Sequence, residues 1–269
     1  MAKKQSAAPA GGGARQPHAS RRRNDAPEPL PRSWRLSRLL LSVGAVVAGV
    51  VVVIAVAASQ GVIGRASSAT GDGSSLAVPS APTPLSLASG RALGLPSARA
   101  TLVVWEDFQC PLCGEFVRQI EPRLITDFVA PGQLRIVPRD MAFLGPESVG
   151  AAAAARCANA QGKFWPYHDY LYWNQMPENS GALNRVRFDQ IASAVGLDRS
   201  TFDACLDKGV EATNADKETA AGRAEGVSET PTLVLGAQMM PGAPLSDLQY
   251  AALSNAIKAA IAASASSAP

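Results

Sequence analysis

The chain reads as an α/β domain with a helical insertion, and three features of the sequence carry that reading. A β-branched and aromatic run, Thr101–Glu106, leads directly into a stretch of helical spacing. From Pro146 to about Gly226 every apolar pattern is helical. A further strand-like run, Thr232–Leu235, is closed by Gly236 and followed by one last amphipathic segment.

Thr101–Glu106 (TLVVWE) has the length and composition of a strand. Beyond Cys110–Pro111–Leu112–Cys113, the residues Phe116, Ile120, Leu124 and Phe128 recur at near-helical spacing up to Ala130, with Pro122 expected to kink or divide the helix. Leu134–Arg139 reads as a second strand, with Pro138 implying an end or an edge. The helical block holds Ala151–Ala155, Phe164–Trp173, Phe188–Val195 and Phe202–Thr219. In the last helix Ser246 and Gln249 form a capping box, and Leu253, Ile257 and Ile261 supply the apolar stripe.

Charge divides the chain. Residues 1–38 carry nine Lys/Arg against Asp25 and Glu28, whereas from residue 99 onward there are 14 Lys/Arg and 19 Asp/Glu. The basic excess belongs to the tail, and nothing in the rest suggests a nucleic-acid surface. An uncharged run from Leu39 to Ile63 follows, longer than a signal peptide's apolar region and long enough to span a bilayer. The basic residues before it keep that end in the cytoplasm and place the rest outside; the Ala55–Val56–Ala57 triplet leaves cleavage open. The expected organisation is a disordered basic cytoplasmic tail over 1–38, a transmembrane signal anchor over 39–63, a Ser/Ala/Pro/Gly-rich disordered linker over 64–98, a folded domain over 99–263 with its helical insertion at about 146–226, and a tail over 264–269.

The chemistry concentrates at Cys110 and Cys113. Thiols spaced C-x-x-C between a strand and a helix lie where unpaired N–H groups and the positive dipole end stabilise a thiolate. Pro111 suits the first helical turn, where its missing N–H is no loss. Cys110 is expected to be the exposed, acidic thiol and Cys113 the buried partner. A structural bridge or half of a zinc site are the alternatives. Zinc wants a second close pair, and Cys157 and Cys205 stand apart, 48 positions from one another. They make either a second disulfide or two buried free thiols. His168 reads as a packed helix residue, because His18 is the only other histidine and no metal cluster forms around it. The aromatic group from Phe164 to Trp173 reads as core and groove edge. No phosphate loop is present, and no cofactor is expected.

The stretches ALGLPSARATLVVWEDFQCPLC (Ala92–Cys113), PRDMAFLGPES and QGKFWPYHDYLYWN (within Val137–Asn174), and FDACLDKG and GVSETPTLVLG (within Phe202–Gly242) resemble DsbA-like thioredoxin-fold proteins over most of residues 92–263. The resemblance implies a thioredoxin fold interrupted by helices, with Cys110–Pro111–Leu112–Cys113 as the redox centre. It implies a cis-proline loop at Thr230–Pro231 beside that centre and a structural bridge between Cys157 and Cys205. Two departures stand out. Val104 occupies the place of the family's buried glutamate, so proton handling is moved to Glu106 or Asp107 or is lost, with Glu106 sharing Val104's face of the strand. Leu112 replaces the histidine of strongly oxidising members. The implied function is extracytoplasmic thiol–disulfide exchange that introduces disulfides into unfolded exported proteins, with a DsbB- or VKOR-like membrane reoxidant as partner. Reductase or isomerase activity at the same site is the alternative, and a non-catalytic anchored binding module is the other.

Overall fold

The computed structural model describes residues 75–266. The basic tail, the apolar run from Leu39 to Ile63 and the first part of the expected linker lie outside the described residues. Among the described residues no helix is long and apolar enough to cross a membrane.

The six strands of the described sheet are β1 (Ala88–Ser89), β2 (Ala92–Leu93), β3 (Ala100–Glu106), β4 (Leu134–Asp140), β5 (Thr232–Leu235) and β6 (Gln238–Pro241), in the order β1-β2-β4-β3-β5-β6. β3 and β4 run parallel, from Ala100 opposite Leu134 to Glu106 opposite Asp140. β5 lies antiparallel on the other side of β3, with Leu102 opposite Leu235. Side chains alternate along β3. Leu102, Val104 and Glu106 are buried on one face, while Trp105 packs with Met141 and Val227 on the other. β2 ends near Ile136, so β4 has an open side at Pro138, as a residue without an N–H favours.

The linker boundary at 98 is corrected by this sheet. β1 and β2 belong to it, Ala92 and Leu93 are buried, and Thr83 is buried against the insertion. Two-residue strands have no periodicity to read, and the Ser/Ala/Pro background hides them. The domain also runs past 263, since its last helix ends at Ser266.

Helix α1 covers residues 111–129. Its α-helical turns at Pro111–Glu115 and Glu121–Leu124 alternate with π-helical turns at Phe116–Ile120 and Ile125–Val129. The expected break at Pro122 is therefore absorbed: a π turn precedes the proline and widens the helix where its ring would meet a carbonyl. The insertion follows as α2 (Pro146–Asn159), α3 (Phe164–Trp173), α4 (Arg185–Ala194), α5 (Arg199–Asp207) and α6 (Val210–Ala224). The stretch Phe202–Thr219 is two helices, parted by Gly209 at φ 66°, a left-handed conformation that costs glycine nothing. Cys157 of α2 and Cys205 of α5 are joined by a disulfide with a Cα–Cα distance of 5.8 Å. Helix α7 (Asp247–Ser266) starts behind the reciprocal Ser246–Gln249 capping bonds.

Arginines and acids fasten the insertion to the sheet. Arg91 contacts Asp140 at 3.0 Å and Glu218 at 2.8 Å, and Arg156 pairs with the same two acids. Removing one member of such an enclosed set strands the opposing charges. Arg156→Met is expected to lower unfolding free energy by about 3–5 kcal/mol, read as a shift in the urea midpoint. A change within a few tenths of a kcal/mol would mean that this set does not hold the insertion in place.

Candidate thiol–disulfide site

Cys110 sits in extended conformation as the N-cap of α1, and Pro111 takes the first helical position. Gly114 N–H donates to the Cys110 carbonyl at 3.1 Å, closing the first turn. The loop before it is braced from outside the sheet. Asp107 accepts from Gln109 N–H at 2.9 Å, Phe143 N–H at 3.0 Å and Leu144 N–H at 3.1 Å. The Gln109 side chain donates to Ser148 Oγ at 2.8 Å and accepts from Asn179 N–H at 2.6 Å. Gln175 Nε2, just past α3, donates to the carbonyls of Phe108 at 2.9 Å and Cys110 at 3.0 Å. Gln175 passes so close to α1 that a Cβ on Gly114 would collide with it. Sequence reasoning missed Gln175, Gln109 and Asn179, because their partners are 39 to 70 positions away or are backbone atoms.

Cys110 was expected to be exposed, and it is not. Its residue surface is 6% accessible, against 0% for Cys113. The reason is the Thr230–Pro231 turn, a cis peptide whose Thr230 carbonyl lies 3.2 Å from Cys110 Sγ. Two apolar side chains are exposed beside residues of this corner: Leu112, within the C-x-x-C, at 45%, and Met176, next to Gln175, at 49%. The Pro231 carbonyl accepts from Gly242 N–H at 2.8 Å. Beyond it a cavity of about 310 Å³ opens between β5, β6 and α7, lined by Leu233, Met240, Ala243, Leu253 and Ala256 among others.

Both thiols are free, and their surroundings split them. A hydrogen bond from Cys113, helped by the Thr230 side chain and the N–H groups opening α1, outweighs burial and lowers Cys110 to about 6. Burial, then the hydrogen bond to Cys110, then the charges of Cys110 and Glu106 hold Cys113 well above the usual thiol range. At neutral pH the outer sulfur is an anion and the inner one carries a proton. That pairing suits exchange, since a low-pKa thiolate is a good leaving group.

Behind Cys113 lies a second group of side chains. Glu106, at the end of β3, is buried on Val104's face. Its Oε1 lies 3.1 Å from His168 Nε2. His168 is fully enclosed by the rings of Phe108, Phe164, Trp165 and Tyr172. Burial would lower it, but the nearby charge of Glu106 and the hydrogen bond to Asp169 raise it to about 10. Burial raises Glu121 to about 8. His168 is thus packed on its helix as expected, but among ionisable partners that β3, α1 and α3 bring together, which no local pattern announces. One donor atom each from Glu121, His168 and Asp169 lie within 4.8 Å of one another. Asp169 already accepts from Thr83 N–H at 2.7 Å, from Thr83 Oγ1 at 3.0 Å, and contacts His168 Nδ1 at 3.2 Å. Its oxygens are committed to protein hydrogens, and the group is a hydrogen-bonded network of the fold.

Comparison with known proteins bears on the same region. Residues 86–259 match the family described as Thioredoxin. The disulfide bond formation protein D of Bacillus subtilis is 27% identical over 144 residues, 52% of this chain and 65% of that protein. The Na(+)/H(+) antiporter NhaA of Herminiimonas arsenicoxydans is 30% identical over 149 residues, 55% of this chain but 22% of that protein. The chain thus spans less than two thirds of these relatives. Crystalline BdbD from Bacillus subtilis superposes with a TM-score of 0.58 at 22% identity, over 64% of this chain and 92% of that one, which is a likeness of fold. With the β3–α1–β4 unit, the thiol pair at the mouth of α1 and the cis-proline turn facing it, the chain belongs to the thioredoxin family, as a DsbA-like member carrying a helical insertion.

Proposed function

We propose that this protein is an extracytoplasmic thiol–disulfide oxidoreductase that introduces disulfides into unfolded exported proteins, held to the membrane through residues 39–63. The observation that carries the reading is the pair of oppositely tuned thiols, with Cys110 Sγ 3.2 Å from the Thr230 carbonyl. A substrate thiolate attacks Cys110 of the Cys110–Cys113 disulfide. A substrate–Cys110 bond forms, and the electron pair of the broken bond goes to Cys113, which takes up a proton. A second substrate thiolate then attacks the first substrate sulfur and releases Cys110 as its thiolate. The substrate is oxidised by two electrons and the protein is reduced by two.

Pro111 and Leu112 shape the helix start, and Thr230 and Pro231 present backbone groups to the bound peptide. Glu106 handles the proton of Cys113. The Cys157–Cys205 bridge is structural, and loop closure over 48 positions is worth about 4 kcal/mol. A DsbB- or VKOR-like membrane protein reoxidises Cys110 and Cys113, and the shared membrane keeps the two in one plane. The sense of electron flow follows from the acidity of Cys110, since a stabilised thiolate favours the reduced state and makes the disulfide oxidising.

A glutathione redox titration of the full chain in detergent tests this. The Cys110–Cys113 couple is expected nearer the roughly −120 mV of strong oxidants than the roughly −270 mV of thioredoxin. A value near the latter assigns the reverse direction, a reductase. A pair that stays unchanged across physiological potentials ends the enzyme reading.

A further inference from the structure

Two buried polar atoms without a hydrogen-bond partner lie one turn apart on α3: His168 Nε2 and the Tyr172 hydroxyl. An unpaired buried donor destabilises a fold, so its place there calls for a reason. Both side chains are wholly enclosed. His168 Nε2 is at ion-pair distance, 3.1 Å, from Glu106 Oε1, without the alignment of a hydrogen bond. The charges that bear on Tyr172 are those of Glu106, Cys113, Asp107 and Cys110, so this face of α3 adjoins the inner thiol.

The exchange chemistry creates a need at this spot. Attack at Cys110 releases Cys113 as an anion with no access to water and with the Glu106 carboxylate acting on it. A bare thiolate there is disfavoured by burial and by that like charge. Its proton has to come from inside. Glu121 of α1 supplies the third member of the group, within 4.8 Å of the His168 and Asp169 donor atoms. Asp169 is tied down by Thr83 and orients the imidazole through Nδ1. Arg91, 5.4 Å from the Phe164 ring centre, is a further cation that interacts with the charge of Glu106.

We propose that Glu106, His168 and Glu121 form an enclosed proton store that protonates Cys113 Sγ as the Cys110–Cys113 bond breaks. The inference rests on the exchange reaction assigned above. The electron pair of the broken bond goes to Cys113. The Nε2 proton of the His168 imidazolium passes through Glu106 to that sulfur, and the Glu121 carboxyl proton restores the imidazolium. Reoxidation, which takes the proton from Cys113 again, returns it to Glu121 by the reverse path. The raised affinities of His168 and Glu121 for protons keep the store loaded at neutral pH.

The test is the rate at which dithiothreitol reduces the Cys110–Cys113 disulfide of the full chain, quenched with acid and counted by alkylation from pH 5.5 to 9. Rates are corrected for the dithiothreitol thiolate and repeated in heavy water. His168→Gln and Glu121→Gln are each expected to slow the step at least about tenfold at pH 8, within the usual worth of a placed proton donor. The loss should shrink toward pH 5.5, and the solvent isotope effect should change. Wild-type pH profiles in both folded variants would overturn the store while leaving the exchange reading intact. Should His168→Gln not fold, Glu121→Gln decides alone, because an amide replaces a carboxyl of the same shape. A wild-type disulfide that dithiothreitol cannot reduce would instead remove the exchange reading and this one with it.

Discussion

Replacing Cys110 with alanine is expected to lower disulfide exchange by more than about 10³-fold, the scale on which an enzyme loses its only nucleophile. Both thiols are largely covered, but Cys113 has no accessible surface at all, and its proton is held tightly by burial. Without Cys110 no sulfur remains that a substrate can reach. Cys113→Ala should behave differently. Cys110 loses the hydrogen bond that contributes most to its acidity, but it keeps Thr230 and the N–H groups opening α1. Its alkylation should persist with a midpoint displaced above 6, while turnover stops because no Cys110–Cys113 disulfide can form. Oxidative refolding of a reduced two-cysteine substrate, with iodoacetamide labelling alongside, reads both effects. Appreciable turnover by Cys110→Ala would place the chemistry elsewhere.

The stability of the reduced protein should rise by about 2 kcal/mol between pH 6 and pH 8 through Cys110. The sign follows from linkage. The folded-state value is about 6 against 9.0 for the unfolded thiol. The native state therefore sheds its proton first, and between those values the unfolded state binds more protons. The stabilisation is complete above pH 9 and is lost as pH falls through 6. Cys113 works against it only at high pH, where its own raised affinity begins to cost stability. Urea unfolding of the reduced chain at pH 6, 7 and 8, beside Cys110→Ser, isolates the effect. Equal slopes for the two proteins would contradict a stabilised thiolate.

Much of this could be read from residues alone. The run TLVVWE, the C-x-x-C that follows and the spacing from Phe116 to Phe128 announced β3 and α1, and strand alternation placed Glu106 on the buried face. The capping box at Ser246 was legible because it is a local exchange of hydrogen bonds. What escaped was short or long-range. β1 and β2 are too brief to show a period, and β6 (QMMP) is mostly solvent-facing. His168 seemed isolated because Glu106 and Glu121 stand 62 and 47 positions earlier in the sequence. The cover over Cys110 arises from Thr230, 120 residues away.

The carbonyls of Phe108 and Cys110 are held by Gln175, and Gln109 is clasped by Ser148 and Asn179, all from the insertion. The reactive corner is therefore assembled from both halves of the domain, much as a keystone needs both flanks of an arch. Trimming the chain to a minimal thioredoxin by excising residues 146–226 would remove these struts and, with them, His168 and the rings of α3 that enclose it. Even with every strand in place, a shortened protein would leave its outer sulfur without the frame that positions it.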